Sequence, residues 1–190
     1  MSTWLWIALV LAVLIVAVLV ATASIRRRRS HILQEGFGPE YDLTVDRAGS
    51  QAQAEAELRE RQRRREELEL RPLAPIARRG YLEAWQGTQA DFVDDPANAI
   101  DEADRLIQSV MRDRGYPVED FDDRASIVSV DHPVVVERYR RAHAITVANA
   151  GGDATTESLR RAMQDYRALF VELVEDTATD ADTDAATAQR

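Results

Sequence analysis

The chain has 190 residues, with 24 basic and 33 acidic side chains and a formal charge of −9. Every basic residue is arginine and cysteine is absent. This excludes a disulfide framework, a thiolate nucleophile and a cysteine zinc site, and it leaves no Walker-type or Schiff-base lysine. The length fits about one ordinary domain with flanking segments.

From Trp4 to Ile25 no residue is charged. A helix of 22 residues would reach about 33 Å, enough for a hydrocarbon layer of about 30 Å. The rival reading is a cleaved signal peptide, suggested by Ala21-Thr22-Ala23. Against it stand the lack of a basic residue ahead of the run, the length of the run, and Arg26, Arg27, Arg28 and Arg29 directly behind it. The sequence therefore predicts a single-pass transmembrane helix over 4–25. The four arginines are then on the cytoplasmic side against anionic lipid headgroups, the N-terminus is outside, and the C-terminal domain is in the cytoplasm at the plasma membrane.

Charge divides unevenly. Residues 26–29 carry +4, 30–71 carry −3, 72–174 carry −6 and 175–190 carry −4. An acidic body past the arginine cluster is repelled by nucleic acid, so no nucleic-acid partner is expected.

Residues 26–49 read as a juxtamembrane basic segment and turn, with Gly36-Phe37-Gly38-Pro39 breaking the helix. Residues 50–71 form a charged helical arm. Ser50 and Gln53 suggest a capping box, the segment from Gln51 to Leu70 is built of strong helix formers, and Glu55/Arg59, Glu57/Arg61 and Glu60/Arg64 are spaced i, i+4. A coiled coil through Leu58 and Leu68 would bring Arg61, Gln62 and Arg65 to its seam, so a solvated spacer or a helix packed by one edge is preferred, with at most weak homo-oligomerisation. The arginines at 59, 61, 63, 64 and 65 alternate with glutamates and read as a solvated face.

Residues 72–174 predict a small helical bundle. Pro72 and Pro75 close the arm, and Tyr81, Trp85 and Phe92 recur at helical spacing. Asp94-Asp95-Pro96 starts a helix with the stripe Ile100, Ala103, Leu106 or Ile107, and Val110 or Met111, stopped at Gly115 and Pro117. A short helix is expected from Phe121 to Val128, and another opens at Asp131 and Pro133 and ends at Gly151-Gly152. A last one is capped by Thr155 or Thr156 and presents Leu159, Met163, Tyr166, Phe170 and Leu173. The fold class is all-α, since no segment alternates as a strand would. Residues 175–190, lacking large apolar side chains, predict a disordered acidic tail. Within that tail Thr177 and Thr179 each precede an aspartate by three, which could suit a phosphothreonine reader.

No constellation of catalytic, cofactor-binding or metal-binding residues emerges. Asp131, His132, Glu137 and His143 can be drawn as a metal set, but spacings of five and six do not share a helix face. His143 on the apolar stripe reads as a core or boundary histidine. No Gly-x-Ser-x-Gly, His-Glu-x-x-His or Gly-x-Gly-x-x-Gly occurs. Two functions of different class follow. One is a helical adaptor or scaffold that binds a protein partner. The alternative is an enzyme or a small-ligand or metal binder using the acidic and histidine residues around 131–143.

The segments Phe37-Gly38-Pro39-Glu40-Tyr41-Asp42, Phe92-Val93-Asp94-Asp95-Pro96, Met111-Arg112-Asp113-Arg114-Gly115-Tyr116-Pro117, Ser129-Val130-Asp131-His132-Pro133 and Tyr166-Arg167-Ala168-Leu169-Phe170 resemble uncharacterised single-pass membrane proteins of actinobacteria. The resemblance covers about residues 26–174. It implies an architecture and supplies no activity.

Overall fold

The computed structural model describes the backbone of residues 2–187, with side chains described throughout 30–175 and at some positions of 4–28. Among the described residues the chain is all-helical. Eight α-helices follow one another: α1 (Ser2–Phe37), α2 (Pro39–Ala48), α3 (Gln51–Glu66), α4 (Pro75–Asp91), α5 (Pro96–Arg114), α6 (Phe121–Asp131), α7 (Val136–Ala150) and α8 (Thr156–Thr187). They form two compact units, Met1–Leu58 and Arg59–Arg190.

The single-pass plasma-membrane placement is corrected. Among the described residues no helix is long and apolar enough to cross a membrane. Part of the expected 4–25 segment, including the side chains of Leu5, Ile7 to Val10, Ala12 and Val13, lies outside the described residues. So do the side chains of Arg26 and Arg29; Arg27 and Arg28 are exposed on α1, which runs on without a break to Phe37.

In the first unit the break falls at Gly38, with φ 46°, and Pro39 takes the first position of α2, a helix the sequence did not announce. Leu33, Phe37, Tyr41, Ala54 and Leu58 are buried. A polar knot ties three segments together. Ser30 and Tyr41 both donate to Glu55 Oε1, at 2.6 and 3.1 Å, and Gln51 Nε2 lies within 3.0 Å of all three oxygens.

The second unit is built on α5, α7 and α8. The start and stop expected for α5 form, whereas the helix start expected at Asp131 and Pro133 does not: α6 runs on to Asp131, and α7 begins at Val136 without a side-chain cap. Asp95 accepts from the Asn98 N–H at 3.1 Å with Pro96 behind it, Asp120 caps α6 through Asp123 N, and Gly115 in the left-handed region closes α5. The α5 stripe of Ala99, Ile100, Ala103, Ile107, Val110 and Met111 meets Tyr139 and Ala142 of α7 and Leu159, Tyr166, Leu169, Phe170 and Leu173 of α8 in one core. Each large side chain buried there contributes about 1.5–3 kcal/mol. Trp85 of α4 stacks on Phe170, with centroids 4.6 Å apart.

Gly115 shows how tightly the exit of α5 is held. Its φ is +92°, and an added Cβ would sit 2.8 Å from the Glu69 carbonyl oxygen, which is fixed backbone. Gly115→Ala should therefore destabilise the unit by on the order of 2 kcal/mol, from the left-handed penalty and the clash together. Urea unfolding would measure it, and an unchanged midpoint would show that the loop at Glu69 does not lie against α5.

Two further expectations change. The arm helix ends at Glu66, four residues early, because Glu67 to Ala74 leave the helix and Arg71 N donates to Arg114 O. The tail expected to be disordered continues α8 as far as Thr187. The side chains of Thr177 and Thr179 lie outside the described residues.

Candidate functional site

The arginine run on α3 has a structural role that the sequence did not reveal. Arg61, 3% exposed, donates to Ser129 Oγ at 3.0 Å. Arg64 pairs with Asp123 and donates to Ser126. The Nε of Arg65 donates to Asp131, whose other partner is the Tyr116 hydroxyl at 2.9 Å. Burial, then the Asp131 charge, push the Tyr116 phenol well above its ordinary value. These arginines fasten the second half of α3 to α6. Among the described residues the heptad positions Arg61 and Arg65 are thus engaged within one chain. Arg78 and Arg114 act similarly, donating to the Val174 and Leu173 carbonyls of α8.

The residues drawn together in the sequence as a metal set are separated in the structure. Asp131 holds Arg65 and Tyr116, His132 Nδ1 lies 3.6 Å from Glu172, Glu137 lies 3.6 Å from Arg140, and His143 Nδ1 lies 3.9 Å from Asp104. Among the described residues no group of three such side chains could hold a metal ion.

The sequence did not single out Asp104, the centre of a buried polar cluster between α5, α7 and α8. Tyr166 donates to its Oδ1 at 3.0 Å and Gln108 Nε2 to its Oδ2 at 2.6 Å. Thr146 Oγ1 lies 2.8 Å from the Tyr166 hydroxyl, and the His143 ring stacks on Phe121 with centroids 3.7 Å apart. Burial is the largest influence on the Asp104 carboxyl and pushes it up. The adjoining His143 imidazole and the hydrogen bonds from Tyr166 and Gln108 outweigh it and hold the carboxyl below the usual range. Burial and the Asp104 charge raise the Tyr166 phenol far above its ordinary value, so it stays a donor. One signal for this cluster was available. Asp104 follows Ile100 by four and precedes Ile107 by three, which puts a carboxylate on the apolar face of α5.

The other feature is a groove of about 600 Å³, open along one side, between the start of α7 and the middle of α8. Val134, Val135, Ala168 and Val171 give it an aliphatic floor, and Arg138, Arg167, Gln164 and Glu172 rim it. Val134 is 69% exposed. Arg138 and Arg167 are exposed, and neither has a hydrogen bond or ion pair among the described residues. That separates them from Arg61, Arg64, Arg65, Arg78, Arg114 and Arg141, all engaged within the unit.

No protein-family model matches the chain, and none of the curated proteins or solved structures does.

A closed cluster and an open groove differ in what they can do. In the Asp104 cluster Tyr166 and Gln108 direct their donors at the buried carboxylate. The groove presents aliphatic surface and two guanidiniums to whatever arrives.

Proposed function

We propose that the chain is a helical protein-interaction module, an adaptor or scaffold, whose second unit receives a protein partner in the α7/α8 groove. The observation that carries this reading is the pairing of an exposed aliphatic floor with arginines that have no partner among the described residues. Exposed apolar surface with cationic rims marks sites of association, and arginine is enriched in interfaces.

The test places a photo-crosslinking amino acid at Val134 or Val171 of the full-length protein in its native cell, with Val93, 82% exposed on the turn after α4, as the control position. A discrete heterologous adduct of fixed stoichiometry from the two groove positions, absent from the Val93 variant, is expected. Equal labelling from all three positions, or none from the groove, would overturn the reading.

A further inference from the structure

We infer that the groove takes an acidic, aliphatic segment of a partner protein, with carboxylates against Arg138 and Arg167 and aliphatic side chains on Val135, Ala168 and Val171. This rests on the proposed interaction function and specifies the chemistry of the partner. The chain as a whole argues the opposite, since a charge of −9 draws basic partners at long range. At physiological salt, however, exposed charges are screened beyond about 8 Å, so contacts at the groove decide what stays bound.

At that range the balance is positive. Two arginines face one glutamate, and Glu172 Oε2 is turned to within 3.6 Å of His132 Nδ1. A guanidinium binds a carboxylate in a two-pronged geometry and, being weakly hydrated, keeps that bond beside apolar surface. The arginines come from different helices, Arg138 from the first turn of α7 and Arg167 from the middle of α8, so both rims of the groove offer a cation. A basic segment would meet two like charges, and a purely apolar one would desolvate both guanidiniums without return. Gln164 adds an amide able to donate or accept. The open side suits a length of polypeptide better than an enclosed metabolite, which pockets bury on most of its surface.

The experiment is a selection of displayed random peptides on the full-length chain, followed by fluorescence anisotropy on the synthesised winners. Wild type should enrich sequences in which Asp or Glu flank Leu, Ile or Val. Binding should weaken at least about tenfold in the Arg138→Glu/Arg167→Glu double variant and fall with added salt. The double variant should instead enrich Lys- and Arg-bearing peptides. Val171→Asp, which charges the floor, should abolish both kinds of binding. Because both arginines are exposed, the double variant should keep the thermal midpoint of wild type, which separates lost binding from lost fold. Neutral or basic winners on wild type, acidic winners indifferent to the double charge reversal, or binding untouched by Val171→Asp would each overturn the inference. A groove-specific crosslinked partner combined with basic winners would leave the interaction reading standing and remove this one. No groove-specific crosslink would remove the reading itself.

Discussion

Phe170→Ala should cost the second unit about 3–5 kcal/mol, the range for deleting a buried aromatic ring from a core. The ring is 1% exposed, stacks on Trp85 at 4.6 Å and 16°, and belongs to the cluster that joins α4, α5 and α8. Its removal takes away the transfer free energy of the ring and the stacking contact and leaves a void that rigid neighbours refill only partly. Total stabilities of about 5–15 kcal/mol put such a loss near the limit a small unit survives. Phe170→Leu keeps most of the apolar volume and should cost less than half as much. Urea unfolding followed by near-ultraviolet circular dichroism reads both quantities, since the band from Trp85 depends on its stacked partner. A loss under about 1 kcal/mol for the alanine variant would mean that α4 does not pack on α8 through this pair.

Phe170 also illustrates what the sequence made legible. It is one of the residues spaced by three and four along α8, and that spacing needs no knowledge of partners. The same holds for Asp95 and Pro96 at the start of α5 and Gly115 at its end, where the signal is local and the structure repeats it. Features that depend on distant residues were not visible. Arg61, Arg64 and Arg65 interleave with glutamates and so resemble a solvated face; their partners Ser129, Asp123 and Asp131 are about sixty residues further on. The groove is harder still. Its floor joins the turn before α7 to a face of α8 some thirty positions on, and its defining property is that Arg138 and Arg167 have no partner among the described residues, which no sequence pattern encodes. The apolar N-terminal run led the other way: hydropathy predicts a membrane span over 4–25, whereas among the described residues no helix is long and apolar enough to cross a membrane.

Asp104→Ala should destabilise the unit by about 3 kcal/mol at neutral pH, because it takes a charged acceptor from two donors at once. The buried Tyr166 hydroxyl loses its charged acceptor and keeps only the neutral Thr146 Oγ1 at 2.8 Å, and Gln108, half-buried, must turn outward to find another. The size of this effect should depend on pH, in a direction fixed by the lowered carboxyl of Asp104. A carboxyl whose folded value lies below its unfolded value of about 3.9 stabilises the fold fully above that unfolded value. That contribution is lost as pH falls through the folded value. The stability difference between wild type and Asp104→Ala should therefore shrink below about pH 4. Taking the difference cancels the titration of acids remote from Asp104, which both proteins share. Tyr166→Phe removes the donor while leaving the charge, and Asp104 then keeps Gln108 alone among its hydrogen-bonding partners. Its cost should be smaller than that of Asp104→Ala, about 1–2 kcal/mol. A wild-type advantage that grew as pH fell below about 4 would show that Asp104 is protonated in the folded protein, and the cluster would then be held by a neutral acid in place of a carboxylate.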